Sequence, residues 1–145
     1  MAEIHMKQRF AAPPEKVFAA VTDHVGMQKW MPGSKISLDR EGVPAPNGLG
    51  AIRRIRAGGL TILEEVVRFD PPREMQYKVL KAGPIIEHLG TIKVLPGDDG
   101  GSVIDYTIRF TCPWYLGGGL LANVIGKTLG KQLGAGLERL SLQVA

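Results

Sequence analysis

Arg53 and Glu64 stand five residues either side of the dipeptide Gly58-Gly59. If that dipeptide is the turn of a two-residue hairpin, the two side chains face each other across a strand pair. A guanidinium opposite a carboxylate has two uses. The partners can satisfy each other as an ion pair, or Arg53 can hold a carboxylate or polarise a carbonyl of a bound molecule while Glu64 orients it, since the guanidinium fork suits paired oxygens. His88 suits acid–base work near neutral pH, and equally a hydrogen-bonded place in a core. Tyr77 and Tyr106 can donate to an enolate-like oxygen. If the protein is an enzyme, His88 and Glu64 are the candidates for proton transfer. His5 and His24 are expected at the surface or in loops. No second histidine stands at metal-ligand spacing and Cys112 is alone, so neither a metal site nor a cofactor is indicated. There is no GxSxG elbow, no Walker sequence and no GxGxxG opening a helix after a strand, which leaves hydrolase, nucleotide-binding and Rossmann readings unsupported.

Two periods of hydrophobicity place these residues. In residues 4–10, Ile4, Met6, Gln8 and Phe10 alternate with charged neighbours, the pattern of a half-buried strand. A short helix follows in "AAPPEKVFAAVTD", with proline near its first turn and Val17, Phe18 and Val21 inward. A second short turn carries "MQKWM", where Trp30 is either core packing or the lip of a portal. "KISLDRE" is the next strand and "GVPAPNGLG" a loop. Around Gly58-Gly59 the register pairs Ala57 with Leu60, Ile55 with Ile62, Arg53 with Glu64 and Ala51 with Val66 on an inner face. Arg54 and Arg56 then point to solvent. Strands through Met75, Tyr77 and Val79, through Ile86, His88, Ile92 and Val94, and through Ile104, Tyr106, Ile108, Phe110 and Cys112 complete the sheet. From Trp114 or Tyr115 the period turns helical, with Leu121, Val124, Ile125, Leu129, Leu133, Leu137 and Leu140 on one broad side. "LGGGL" at 116–120 is a flexible lead-in to this helix.

Inside that last helix, Ala122, Gly126, Gly130 and Gly134 form a line of small residues four apart. Each glycine costs a helix interior about 1 kcal/mol relative to alanine, so the line implies close approach to something. It can pack against bulky inner-face residues such as Tyr106 and Phe110, or it can be the flat wall of a cavity.

The 145 residues are long enough for one domain with a real core, and 44% hydrophobic with 22% charged residues is an ordinary globular balance. The net charge of +4 is spread along the chain, and no stacking aromatics are interleaved with it, which argues against nucleic-acid binding. The lone cysteine excludes an internal disulfide and fits a reduced compartment. The first twenty residues lack the apolar run of a secretory signal, and "PWYLGGGLLANVIG" is too short and glycine-rich to span a bilayer. A cytoplasmic location is therefore expected; the oligomeric state is left open.

The order strand, two short helices, six strands and long helix, with "FAAPPEKVFAAVTD", Trp30 and Pro32, "GLGAIRR", "LEEVVRFDPPREMQY" and "GGSVIDYTIRF" in place, resembles the SRPBCC superfamily, the START and birch-pollen-allergen type helix-grip proteins. The likeness is closest to the branch of polyketide cyclases, dehydrases and lipid-transport proteins, and runs from about residue 3 to 142. It implies an α+β fold in which a curved seven-stranded antiparallel sheet wraps a long C-terminal helix, with a pocket between them. The expected partner is a hydrophobic small molecule such as a lipid or polyketide. On that fold Gln8, Arg53, Glu64, Tyr77, His88 and Tyr106 point toward the ligand, Trp30 stands near the mouth, and Phe110, Gly126 and Gly130 belong to the wall. The alternatives are a polyketide cyclase or dehydrase acting on a bound polyketide, and an interaction module using the outer face of the sheet.

Overall fold

A computed structural model of the chain describes residues 1–144. The alternating segments become β1 (Ala2–Phe10), β2 (Lys35–Arg40), β3 (Ile52–Ala57), β4 (Leu60–Asp70), β5 (Glu74–Lys81), β6 (Ile86–Pro96) and β7 (Ser102–Thr111). All neighbours are antiparallel, in the order β1-β7-β6-β5-β4-β3-β2. Strands β2 to β7 thus follow one another as a meander, and β1 closes against the last of them. Between β1 and β2 lie helix α1 (Pro14–Val21) and a 3₁₀ turn (Val25–Lys29). Helix α2 (Gly118–Gln143) crosses the concave face, and the whole is the helix-grip architecture.

The β3–β4 register is the expected one. Gly58 and Gly59 have φ of 57° and 81°, conformations that a two-residue turn of this kind demands and a side chain resists. Ala57 then pairs with Leu60, Ile55 with Ile62 and Arg53 with Glu64. The Val66 amide donates to Ala51 O at 2.9 Å, extending the match. In β7, Ile104, Tyr106, Ile108 and Phe110 are all buried. A register shift in β5 opposite Leu63 and Glu64 brings Val79 rather than Leu80 opposite Glu64, so Leu80 turns outward.

Two local expectations fail. In β6 the alternation puts Ile86 beside His88, but a register shift lies between Ile86 and Leu89 and Glu87 has φ of 50°. Ile86 consequently faces solvent, and Ile85 takes the inner place. The helical period from Trp114 is also broken. Residues Trp114–Leu116 form a 3₁₀ turn, Gly117 at φ 114° reverses the chain, and α2 starts at Gly118.

The apolar side of α2 divides into two halves. Leu133, Leu137 and Leu140 are buried, whereas Leu121, Ile125 and Leu129 are only half-buried and Val124 is exposed. The C-terminal half packs on sheet and 3₁₀ turn, with Arg139 Nη1 donating to Trp30 O at 2.8 Å and Gln143 Nε2 to Lys29 O at 2.9 Å. The N-terminal half rests one side on β1, where Ala122 and Gly126 are buried, and holds the other over open space. No helix among the described residues is long and apolar enough to cross a membrane.

Candidate functional site

The space beneath the first half of α2 is a cavity of about 540 Å³. Strands β3 to β7 supply its floor, and Ile125, Leu129 and Leu133 its roof. That volume and a mostly apolar wall with a few convergent polar groups match a site for a drug-sized ligand. The polar groups on the sheet side are Arg53, Glu64, Tyr77, His88 and Tyr106; Ser34, and Thr128 and Gln132 from α2, complete the polar part of the wall.

Arg53 organises this floor. Cross-strand pairing on the inner face points it at Glu64, whose Oε1 accepts from Arg53 Nε at 2.7 Å and lies 2.7 Å from Nη2. Nη1 is directed instead to His24 Nδ1 at 3.2 Å, and the guanidinium lies over the Tyr77 ring, 4.7 Å from its centroid. The arginine and glutamate are only 4% and 8% exposed. Burial is the largest single influence and discourages the Arg53 charge, but the Glu64 carboxylate together with Tyr77 and Tyr106 outweighs it and holds the guanidinium more firmly protonated than usual.

His24 completes the second coordination of this arginine. Its backbone N–H donates to Asn47 Oδ1 at 3.2 Å, and its ring Nε2 lies 3.0 Å from Asn47 O. A carbonyl oxygen only accepts and a guanidinium only donates, so Nε2 carries the proton and Nδ1 is bare. The ring is therefore neutral. Burial, reinforced by the neighbouring Arg53 charge, lowers its pKa to about 4. His24 thus ties the loop around Asn47 to the cavity floor.

Tyr77 and Tyr106 form the other half of the cluster. Their hydroxyls hydrogen-bond to one another and their rings meet edge to face, 88° apart. Burial raises the Tyr77 phenol well above its ordinary range and pushes Tyr106 up to about 12, so both stay neutral. The Tyr77 ring lies directly across Gly90, its cross-strand partner; a β-carbon there would stand 2.8 Å from Tyr77 Oη and closer still to the ring. Gly90 is what lets Tyr77 lie down. His88 stacks at a tilt beside Tyr77, centroids 5.4 Å apart, and its buried Nδ1 has no partner among the described residues. Burial lowers its pKa, opposed in part by Glu64, so this ring is also neutral near pH 7.

Five of the residues singled out in the sequence therefore meet at one place: Arg53, Glu64, Tyr77, His88 and Tyr106. The other five do not line the cavity. Gln8 lies under the end of α2, its Nε2 3.4 Å from Ser141 Oγ. Trp30 is 2% exposed and belongs to the core rather than to a portal lip. Phe110 is fully buried at the far end of β7. Gly126 and Gly130 face β1: a β-carbon would come 3.6 Å from Ile4 Cγ1 at Gly126 and 3.2 Å from Ile4 Cγ2 at Gly130, while at Gly134 it would meet nothing. The small-residue line therefore packs on the edge strand, not on Tyr106 or Phe110, and is not the cavity wall. His24, expected at the surface or in a loop, does sit in the turn after α1 but is buried there, 1% exposed. Asn47 and Gly90 carry no signal of their own in the sequence; a glycine opposite a tyrosine becomes informative only once the β5–β6 register is known.

Two further depressions occur elsewhere. One, of about 450 Å³, separates α1 from the proline-rich loop, with Glu15 as the only ionisable group on its described wall. The other, about 370 Å³, lies on the outer sheet face, where His5 pairs with Asp105 at 2.7 Å. Neither gathers buried polar groups. Among the described residues no cluster of three or more His, Cys, Asp or Glu is placed to hold a metal ion.

The family described as Polyketide cyclase / dehydrase and lipid transport matches residues 1–144. The chain belongs to that family. Solved structures agree on the fold of this polyketide cyclase/dehydrase and lipid-transport family member. A START superfamily protein from Mycobacterium smegmatis is similar at a TM-score of 0.79 and 13% identity, covering 99% of each chain. A protein from Thermus thermophilus has a TM-score of 0.79 at 20% identity, covering 99% of this chain and 97% of its own. The Aha1 dimer from Colwellia psychrerythraea gives 0.74 at 16% identity over 99% and 96%. At such identities the likeness is one of fold. No protein of curated function matches the sequence.

Proposed function

We propose that this member of the polyketide cyclase/dehydrase and lipid-transport family binds a hydrophobic small molecule, a lipid, polyketide or similar compound, in the cavity beneath α2. The observation that carries the reading is the cavity itself: about 540 Å³ of apolar-walled space under a helix half whose leucines stay only partly covered. Filling it with an apolar ligand removes that surface from water at about 25 cal/mol per Å². Family and fold support the same reading. Native mass spectrometry of freshly purified protein tests it. A retained mass that leaves on collisional activation is expected; a bare mass together with no uptake of an apolar fluorescent probe refutes it.

One observation favours a second reading, turnover of the bound molecule. His88 is neutral, stands beside Tyr77 on the cavity wall, and its buried Nδ1 has no hydrogen-bond partner among the described residues. In that reading His88 moves a proton on the ligand while the tyrosine pair steadies the developing oxyanion. Arg53, whose Nε, Nη1 and Nη2 are each already directed to Glu64 or His24, is assigned no part in that step. A His88→Asn variant that still binds but no longer converts a polyketide substrate supports this; equal conversion sinks it.

A further inference from the structure

The cavity floor has an unusual balance of used and unused hydrogen-bonding groups. Each nitrogen of Arg53 already has a partner: Nε and Nη2 converge on a single oxygen, Glu64 Oε1, and Nη1 is directed to His24, which leaves one N–H on each Nη and no free fork. Glu64 Oε2 is left without a hydrogen bond among the described residues, although Glu64 lines the cavity. The two tyrosine hydroxyls share one hydrogen bond, which consumes one proton and leaves the other to donate. His88 adds a neutral ring with an unpartnered nitrogen.

The spare capacity is thus a carboxylate acceptor beside a phenolic donor, on a floor whose formal charges cancel. A hydroxyl group, which is donor and acceptor at once, satisfies both. A ligand carboxylate offers only acceptors and would sit against the Glu64 charge, while the guanidinium that would welcome it is already turned to Oε1 and His24. An unsubstituted hydrocarbon leaves Oε2 desolvated and unpaired.

We infer that the site selects a neutral, largely apolar molecule bearing a hydroxyl group, an alcohol, phenol or enol, anchored between Glu64 Oε2 and the Tyr77–Tyr106 pair, and discriminates against carboxylates. This rests on the cavity being a ligand site, and it specifies what the ligand's polar end must be.

Three probes of one shape separate the possibilities: naphthalene, 2-naphthol and 2-naphthoate, titrated into the intact protein at neutral pH by calorimetry or fluorescence. The expected result is 2-naphthol binding at least tenfold more tightly than either of the others. Equal or tighter binding of 2-naphthoate overturns the inference, because Arg53 is then available to anions. Equal affinity for 2-naphthol and naphthalene also overturns it, while leaving the cavity reading intact. Binding of none of the three refutes the cavity reading and the inference with it. The double variant Arg53→Met with Glu64→Met should keep the naphthalene affinity and lose the tenfold advantage of 2-naphthol. Retention of that advantage would place the selectivity elsewhere. The wild-type series decides the chemistry even if the variant does not fold.

Discussion

Removing one member of the Arg53–Glu64 pair should cost far more than removing both. Arg53→Met leaves a carboxylate on a residue 8% exposed, with no counter-charge, and strips His24 Nδ1 of its donor. Breaking a buried pair this way costs about 3–5 kcal/mol. Glu64→Met leaves the guanidinium its contacts with His24 and the Tyr77 face, so its cost falls near 3 kcal/mol, the low end of that range. The double variant removes both charges at roughly constant volume and orphans only the His24 nitrogen, a penalty of about 1–3 kcal/mol. The singles therefore sum to about 6–8 kcal/mol against 1–3 for the double, a coupling well beyond the additivity of independent sites. Urea unfolding followed by the fluorescence of the buried Trp30 reads this directly. With a slope of about 2 kcal/mol per M, a 4 kcal/mol loss moves the midpoint by about 2 M. Two singles that each cost under about 1 kcal/mol and add up to the double would refute the reasoning, because Glu64 would then be solvated well enough to need no partner.

Stability should fall on the acid side through His24. Its folded pKa of about 4 lies below the unfolded value of 6.5, so the unfolded chain takes up a proton that the native state refuses as pH drops between those values. This removes about 3 kcal/mol across the window, changes nothing above it, and is reinforced in direction by His88; His24→Gln should flatten the pH profile of the urea midpoint. Gly90→Ala should destabilise the protein and weaken ligand binding together, since the Tyr77 ring occupies the place of the new methyl group; unchanged ligand affinity with a shifted midpoint would count against Tyr77 as a binding group. Along α2, Gly134→Ala should raise stability by about 0.5–1 kcal/mol, having helix propensity to gain and open space to fill, whereas Gly136→Ala should lower it, meeting Trp30 Cε3 at 3.0 Å; thermal melts of the two variants should move in opposite directions.

Much of this is legible in the sequence because strand pairing with a two-residue turn leaves no freedom. Once Gly58-Gly59 is the turn, Arg53 must face Glu64, and the alternation in β7 must send Tyr106 inward. Alternation fails where the register slips. Counting back from His88 places Ile86 inward, but the backbone at Glu87 inserts a reversal that no hydrophobic pattern announces. His24 escapes the pattern for a different reason: it sits in the turn between α1 and a 3₁₀ segment, where neither period applies, and its burial depends on a loop more than twenty residues later.

The glycine line in α2 shows how a correct observation can carry a wrong location. Two of the three glycines in register do mark close approach, Gly126 and Gly130 meeting Ile4, while Gly134 meets nothing. What the helical period could not say is which strand lies beneath them, because that is set by the sheet order, in which β1 joins β7 rather than β2. Placing small residues over β1 pulls one face of α2 down onto the sheet edge, and the adjacent face, bearing the half-buried Ile125 and Leu129, is held over the cavity. The glycines then matter to the cavity without lining it. Bulk introduced at Gly130 would lift the helix from β1 and change the cavity's height, so Gly130→Leu should alter ligand affinity through the roof residues, with the polar floor around Arg53 left in place.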